Sequence, residues 1–471
     1  MPRVVVVGAG IAGLAAARRL RSTCPVDVEI LVLEASSRVG GKLRREQVAG
    51  CWVDVGAEAM LARRPEGLAA AREVGLAEDL IYPLTTAALV RSRGANHRLP
   101  GRTLIGVPAD LAAAAESGIL SQASLELLRD EPSRSPIRPL AQDISVGELV
   151  EQRFGAEVVD RLVDPLLGGV YAGRARELSL DATIPVLAAR LRELGGSLLE
   201  AAATLTRPAA TPSPVFASVR GGLSRLVEEL AADVEVRTST TVRELHRRAT
   251  GFRLVYGSAD SPAAMDADAV LLATPAAKTA ALLREIAPAA AAELAAIDTA
   301  SMAIITMAFR ASDLGDGLPD GSGLLIPAVE PLEVKAMTFT SQKWPGIGQD
   351  EGLVLMRASL GRAGEAMALQ REDAELVSLV RAELATVAGV AAEPVDSHVQ
   401  RWGGALPQYR VGHLDRVRRI RAAVGDTSGL AVCGASYDGV GIPACIASAH
   451  TAADLIAGGL AGSAQWKYGD R

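Results

Sequence analysis

The chain has 471 residues, of which 49% are hydrophobic, and it carries charged residues of both signs. The length predicts two or three domains, and the hydrophobic fraction with charges of both signs excludes a disordered chain. The net charge of −6 and the 3% aromatic content argue against nucleic-acid binding. The four cysteines form no CxxC pair and the five histidines form no cluster, so we expect reduced thiols and no metal site.

The first predicted elements are a strand, a glycine turn and a helix. The apolar run 4–7 predicts a buried strand, the run 14–20 predicts a helix, and Gly8-x-Gly10-x-x-Gly13 lies between them. This order predicts a phosphate cradle for a dinucleotide, because the glycines permit a tight turn and the helix N-terminus attracts phosphate. The residues predicted to form the cradle are Gly8, Ala9, Gly10, Ile11, Ala12 and Gly13.

A second predicted strand, 28–33, ends in Glu34, 21 residues after Gly13. An acid at this position accepts hydrogen bonds from the ribose hydroxyls and repels a 2′-phosphate, which disfavours NADP. The strand at residue 3 leaves no room for a signal peptide, and no uncharged apolar run reaches about 18 residues, so we expect a cytoplasmic protein without a transmembrane helix.

The middle of the chain differs from its opening. Residues 86–214 hold a hairpin-like stretch at 91–100, then several helical patterns, and end at a proline-rich connector at 206–214. They predict a helical domain, of membrane or substrate type, inserted into the first one.

Strand patterns return after this block. The predicted strands are 234–237, 241–246, 252–256, 269–273, 303–309, 352–360 and 430–434, and the predicted helices are 371–387 and 443–460. They predict an α/β and α+β fold with a discontinuous cofactor domain (1–85, 215–299 and 425–471) and a mixed-sheet substrate domain (300–424).

A second glycine cluster follows Glu34. It reads Arg38-x-Gly40-Gly41 and is followed by Asp54-x-Gly56. This pattern resembles the two-dinucleotide-binding-domain flavoproteins, in which the paired glycines let the backbone run against the flavin. The resemblance implies FAD rather than NAD and the amine-oxidase-like superfamily, with a Rossmann-like FAD domain. The residues implied to contact FAD here are Glu34, Ala35, Arg38, Gly41, Lys42, Gly56, Ala57, Glu58, Ala59, Val242 and Trp402.

The other end of the chain carries a third glycine-rich segment, GASYDGVGIPACI, at 434–446. Pro443 suits the first turn of a helix, whose N-terminus would face the flavin ring and stabilise the charge gained on reduction. The candidate residues in this segment are Gly434, Ala435, Val440, Gly441 and Ile442.

This segment resembles the C-terminal signature of the protoporphyrinogen and coproporphyrinogen oxidases. The stretches 168–173, 177–179, 221–223, 343–345 and 407–413 agree with that family, and the bacterial type without a membrane anchor fits best. Ala435 and Ala444 depart from the Asn and Asp that the signature often carries. Ala88 stands where some members have an arginine for a substrate carboxylate, so carboxylate recognition must come from elsewhere.

The resemblance implies a haem-biosynthesis oxidase with oxygen as acceptor. The reaction would convert coproporphyrinogen III to coproporphyrin III in three two-electron steps with release of hydrogen peroxide. Protoporphyrinogen IX is the alternative substrate, disfavoured because the chain lacks an apolar anchor. Gly169 is a candidate to offer a backbone carbonyl to the pyrrole nitrogens. The other substrate candidates are Ile304 in the cavity, which a place in the ordinary core explains at least as well, and four residues for the propionates. These are Lys42, Lys343, Arg410 and His413, and plain solvation explains each of them alone better than a substrate contact.

Rival functions remain open at this point. An amine oxidase would need an aromatic cage and a lysine near the flavin, whereas Ile442 stands at the cage position and 301–305 carries no lysine. A carotenoid desaturase would need a membrane-docking helix. The alternative that is not an enzyme is a flavin-binding porphyrin chaperone. Transient contact with ferrochelatase or other haem-pathway enzymes is a hypothesis, and the oligomeric state stays open between monomer and homodimer.

Overall fold

The structure is a computed structural model that describes residues 1–207, 213–462 and 468. Part of the predicted connector 206–214 therefore lies outside the described residues, as do 463–467 and 469–471 of the predicted cofactor segment 425–471.

A five-stranded parallel sheet is built from all three segments that we assigned to the cofactor domain. In spatial order its strands are Glu235–Arg237, Glu29–Leu33, Arg3–Val7, Ala269–Leu272 and Leu430–Val432. Val4 to Val7 are buried and alternate between two hydrophobic clusters, one on each face of the sheet. This double burial explains the uninterrupted apolar runs and confirms the strands predicted from them.

Helices cover both faces of this sheet. They are Ile11–Thr23, Pro65–Glu73, Ser224–Ala232, Ala276–Leu283, Pro288–Ala295, His413–Gly425 and Ile442–Leu460. The first and last of them pack against each other. A three-stranded antiparallel sheet of Val242–Arg247, Phe252–Gly257 and Pro262–Ala267 also belongs to this half of the fold.

A seven-stranded mixed sheet forms the second layer. Its strands, in spatial order, are Asp396–Pro407, Thr299–Arg310, Leu353–Leu360, Val334–Thr338, Gly323–Leu325, Ala88–Ser92 and Ala95–Arg98. The helix Asp373–Ala388, which begins with a capping box of Glu372 and Glu375, packs on one face of it. The hairpin Ala88–Arg98 lies within the predicted helical domain 86–214 but pairs in parallel with Gly323–Leu325, a long-range contact that local patterns do not reveal.

The helical block after this hairpin has its own hydrophobic cluster. Its helices are Leu111–Glu116, Gln122–Asp130, Val146–Phe154, Ala156–Val158, Asp164–Tyr171, Leu180–Thr183, Pro185–Leu194 and Leu198–Leu205, with a π-helical turn at Val159–Val163. The remaining short strands are Arg45–Val48, Cys51–Asp54, Met60–Leu61, Leu80–Ile81, Thr103–Leu104, Val107–Pro108 and Phe216–Val219, and a short helix spans Thr340–Lys343. The mixed α/β and α+β class is confirmed, while the domain bounds stay a prediction.

Candidate active site

Two glycines of the first turn are demanded by the backbone itself. Gly8 adopts a φ of +104° and donates its N–H to the Leu33 carbonyl at 2.8 Å. A Cβ on Gly13 would lie 1.8 Å from the Gly8 oxygen. Only a residue without a side chain lets the helix Ile11–Thr23 start this close to the strand.

Gly10 and Gly441 have a different explanation. Their φ values are −75° and −69°, which any residue adopts. Within the described part of the chain, a Cβ on Gly10 would meet no atom within 4 Å, and one on Gly441 would meet only Pro443 Cδ, at 3.9 Å. Packing therefore does not require glycine at either place, whereas close approach of a ligand to the backbone would.

Both of these glycines precede helix N-termini. Gly10 caps Ile11–Thr23 and Gly441 caps Ile442–Leu460, and neither helix start has a side-chain cap. Since the two helices follow parallel strands and pack together, both starts open at the carboxyl edge of the five-stranded sheet. Their free N–H groups and partial positive charge suit a pyrophosphate at one and an anionic ring at the other.

Glu34 lies where the ribose acid was predicted. Its half-buried carboxylate accepts the N–H groups of Ala9, at 2.7 Å, and Ser36, at 2.8 Å, and keeps lone pairs for further donors. The Thr240 N–H donates to the Glu34 carbonyl at 2.7 Å, which places the start of the strand Val242–Arg247 close to Glu34. Ala35, one residue beyond Glu34, is exposed.

The second glycine cluster runs beside the first. Gly40 pairs with Gly10 in a parallel bridge and has a φ of +102°. The Arg38 guanidinium donates to the Gly41 carbonyl at 2.7 Å and also to the carbonyls of Val39 and Leu43. Arg38 therefore shapes this turn, and burial lowers its pKa.

The Asp54-x-Gly56 turn is held between this loop and the larger sheet. A Cβ on Gly56 would lie 2.0 Å from the Lys42 carbonyl oxygen and 3.2 Å from Trp402 Cζ2, and Trp402 Nε1 donates to Val55 at 2.9 Å. Burial lowers the pKa of Lys42, which lies near Cys445 in the first turn of the helix Ile442–Leu460. Among the described residues, the Lys42 ammonium has no hydrogen-bond or ion-pair partner.

A largely buried ionic triad joins the same turn to the seven-stranded sheet. Glu58 binds Lys343 Nζ at 2.6 Å and Arg357 Nη1 at 2.8 Å, and Arg357 Nη2 donates to the Gly56 carbonyl at 2.8 Å. Burial alone would raise the pKa of Glu58, but the two cations lower it to about 2. Because its charge is engaged by Glu58, we do not retain Lys343 as a candidate for a propionate.

Two other predicted propionate ligands are also engaged elsewhere. His413 is fully buried, stacks on Tyr409 at 3.9 Å between ring centroids, and has its pKa lowered to about 4 by burial. The prediction for His413 was wrong, because an enclosed neutral imidazole cannot meet a carboxylate. Arg410 lies half-exposed and pairs with Glu177 at 3.1 Å and Asp298 at 3.0 Å.

Tyr409 holds the glycine-rich segment 434–446 in place through two hydrogen bonds of its hydroxyl. Its hydroxyl donates to the Ala435 carbonyl at 2.6 Å and accepts the Gly439 N–H at 2.9 Å. Gly434 has a φ of +118°, and its N–H donates to Ser448 in the following helix at 3.3 Å. These bonds fix the loop that leads to Ile442.

One face of the seven-stranded sheet is only partly covered, and we interpret the space against it as a cleft. Cross-strand register places Ile304, Ser359, Ala336 and Leu325 in one row, and their apolar neighbours along the strands belong to the core on the opposite face. The strand pairing shifts at Lys335, between Val334 and Ala336, so the alternation of faces is interrupted there. Met302 lies on the same face, two residues before Ile304. Except for Ile304, which is 5% exposed, these residues are only half-buried although they lie within a sheet. We call the five residues Met302, Ile304, Leu325, Ala336 and Ser359 the cleft face.

Gly169 lies against the cleft face. It is an exposed residue in the last turn of the helix Asp164–Tyr171, and a Cβ there would meet only Leu325 Cδ2, at 3.9 Å, within the described chain. The Ala172 N–H binds the Gly168 carbonyl, whereas the Gly169 carbonyl accepts no backbone N–H from the described residues. Val440 packs into the same hydrophobic cluster as Leu325, so the far glycine segment reaches this cleft as well.

Across the described ranges we find no group of three potential metal ligands. The same part of the chain contains no helix with the length and apolar character needed to cross a bilayer.

The comparisons with known proteins fit this geometry. The model of the flavin-containing amine oxidoreductase family matches residues 11–457. The chain belongs to this family. It is 39% identical over 456 residues to the coproporphyrinogen III oxidase of Mycobacterium leprae (96% of this chain, 97% of that protein), and 30% identical over 474 residues to that of Staphylococcus aureus (96% and 98%).

Solved structures agree with the sequence relatives. A crystal structure from Exiguobacterium sp. 255-15, named "Putative protoporphyrinogen oxidase", superimposes with a TM-score of 0.85 at 32% identity, covering 97% of this chain and 98% of that one. The cyclohexylamine oxidase of Brevibacterium oxydans shares the fold alone, with a TM-score of 0.70 at 17% identity. The resemblance to the porphyrinogen-oxidase family and the flavoprotein fold are thereby confirmed for this flavin oxidoreductase.

Sequence reasoning missed Arg357 and Tyr409. Arg357 is a charged residue inside the apolar strand Leu353–Leu360, and such an interruption is a signal that a buried partner exists. Tyr409 lies within the stretch 407–413, but nothing local to that stretch indicates that its hydroxyl reaches Ala435.

Proposed function

We propose that the flavin of this protein is FAD. The first glycine turn and Glu34 suit an adenosine diphosphate half, while the segment 434–442 lies at a second helix start that suits an isoalloxazine ring. The single observation that carries this proposal is the pair Gly10 and Gly441, where no atom of the described chain explains the absence of a side chain. When bound, FAD supplies two-electron oxidation and passes the electrons to oxygen.

We propose coproporphyrinogen III as the substrate, oxidised to coproporphyrin III in three two-electron steps with release of three molecules of hydrogen peroxide. Relatives with this activity in their names match nearly the full chain at 30–39% identity. The cleft face is apolar or small throughout, which suits a large macrocycle held by shape. Protoporphyrinogen IX is the competing substrate.

The chain's own residues position the macrocycle. Gly169 offers a carbonyl that accepts a pyrrole N–H, and Ile304 and Leu325 pack against the ring. Lys42, whose ammonium lacks a partner in the described chain, would stabilise negative charge near the start of the helix Ile442–Leu460. A cytoplasmic location and a transient contact with ferrochelatase stay predictions, and crosslinking would test the latter.

The test uses the purified yellow protein. Mixed with coproporphyrinogen III without oxygen, its visible absorbance should bleach, and air should restore the colour with porphyrin fluorescence and peroxide. Absence of bleaching would favour a non-catalytic porphyrin-binding protein. Faster turnover of protoporphyrinogen IX would overturn the choice of substrate.

Two neighbouring glycines of one helix test the role of Gly169. Gly169→Ala places a methyl group on the cleft face and should raise the KM several-fold. Gly168→Ala is the matched control, since its Cβ would meet only the Gly173 oxygen, at 3.7 Å, within the described chain. Equal KM values for both variants would contradict the proposed position of the ring.

A further inference from the structure

Lys335 is an ionisable group that the fold does not explain. It lies on the strand Val334–Thr338, is 5% exposed, and its Nζ has no hydrogen-bond partner in the described chain. Burial lowers the pKa of this amine to about 7. Enclosing an amine without a partner destabilises a fold, so a positive reason for this lysine must be sought.

A second buried cation, Arg362, lies beside Lys335. Arg362 is 9% exposed and donates from Nη2 to the Ile326 carbonyl at 3.0 Å. The Ile326 N–H in turn donates to the Lys335 carbonyl at 2.9 Å. Lys335 and Arg362, the cation pair, therefore flank Ile326.

The cation pair lies at one end of the cleft face. Ile326 directly follows Leu325, which contacts Gly169. The loop of Arg362 is also tied to the helix of Gly169, because the Ala363 N–H donates to the Ala172 carbonyl at 2.7 Å. Arg362 also lines a cavity of about 450 Å³, together with Arg174 and Glu365.

The acids around the cation pair do not neutralise it. Glu365 lies 3.8 Å from Arg362 but is bound by Arg174, at 2.7 Å, at the exposed rim of the cavity. Burial raises the pKa of Asp164, and its carboxylate accepts the Ala175 N–H at 2.7 Å. Glu383 also attracts Arg362, but its carboxylate accepts the N–H groups of Glu333 and Val334. In the described chain none of these three acids makes a hydrogen bond with Lys335 Nζ.

We infer that Lys335 and Arg362 bind a carboxylate of the substrate. The inference rests on the proposed function, in which that carboxylate is a propionate of the porphyrinogen. The ring lies on the cleft face beside Gly169, and one propionate extends past Ile326 to the cation pair. The carboxylate is then the partner that Lys335 lacks, and the planar guanidinium of Arg362 donates a further hydrogen bond to it. These two residues recognise the substrate carboxylate in place of the arginine that some family members carry at the position of Ala88.

The decisive variant is Lys335→Met, measured in the flavin-loaded protein. Binding of coproporphyrin III, followed by fluorescence quenching, should weaken about ten-fold to a hundred-fold, the loss expected for one charge-assisted hydrogen bond. The KM for coproporphyrinogen III should rise and kcat should change little. The melting temperature without porphyrin should increase, because the variant removes a buried amine that has no partner. A purely structural lysine would give a lower melting temperature instead.

Lys278→Met is the matched control, since Lys278 is an exposed lysine on the helix Ala276–Leu283, and it should change neither binding nor melting. Equal porphyrin affinity of the wild type and Lys335→Met would overturn the inference and leave the proposed function intact. A wild-type protein that neither binds nor oxidises the porphyrin would overturn the proposed function itself.

Discussion

Glu58→Gln removes the carboxylate that binds Lys343 and Arg357, and the structure gives the resulting loss of stability in two ways. The side chains of Glu58, Lys343 and Arg357 are 15%, 16% and 9% exposed, so the change leaves buried charge without a counterion, which costs about 3–5 kcal/mol. Independently, a pKa lowered from 4.5 to about 2 corresponds to about 3 kcal/mol of stability at neutral pH. We therefore expect the free energy of unfolding to fall by about 3 kcal/mol.

The lowered pKa of Glu58 also predicts how the stability of the protein changes with pH. The pKa of Glu58 is lower in the folded than in the unfolded chain, so its contribution is complete above about pH 4.5 and is lost as the pH falls toward about 2. The wild type should lose this stability over that range. Glu58→Gln should lack that part of the loss.

Urea unfolding, followed by circular dichroism between pH 7 and about pH 3, measures both quantities. Glu235→Gln is the control, since Glu235 pairs with Arg237 at the surface, with side chains 52% and 46% exposed, and should cost less than about 1 kcal/mol. A Glu58→Gln protein as stable as this control, with the slope of the wild type, would refute the reasoning.

Three further changes test other parts of the site. Gly10→Ala should change stability by less than about 1 kcal/mol, because no described chain atom lies within 4 Å of the new Cβ, yet it should lower flavin retention. Gly101→Ala, where the new Cβ is equally free of contacts, is the control. Full flavin retention by Gly10→Ala would contradict a ligand at this position. The folded pKa of His413 lies below its unfolded value, so the unfolded chain binds more protons between pH about 6.5 and about 4 and the wild type loses about 3 kcal/mol as the pH falls. His413→Phe keeps the stacking on Tyr409 and should abolish this loss, and an unchanged slope in urea unfolding would count against it. Tyr409→Phe should lower stability by about 1–3 kcal/mol, since the buried Ala435 carbonyl loses its donor, and it should slow flavin reduction in stopped-flow measurements; wild-type values for both would contradict the role of this hydroxyl.

Local features of the fold were predictable because their causes are local. The apolar runs 4–7 and 269–273 predict buried parallel strands, since both faces of such strands are covered. Gly8 and Gly13 predict the first turn, because the backbone there leaves no room for a side chain. The helix predicted over 443–460 begins one residue earlier, at Ile442.

Long-range pairing was not predictable in the same way. The hairpin Ala88–Arg98 carries a strand pattern, but nothing in it indicates that it extends a sheet whose other strands lie beyond residue 298. Register across such a distance depends on the packing of the whole layer rather than on local propensity.

The sequence by itself determined the family, the flavin motif and the residue types that line it, because these are written in short runs with fixed spacing. Only the tertiary structure decided which charges meet. It joins Glu58 to Lys343 across 285 positions, encloses His413 under Tyr409, and leaves Lys335 buried without a partner in the described chain. Partnership and burial decide what a cation can bind, and both arise from contacts between distant parts of the chain.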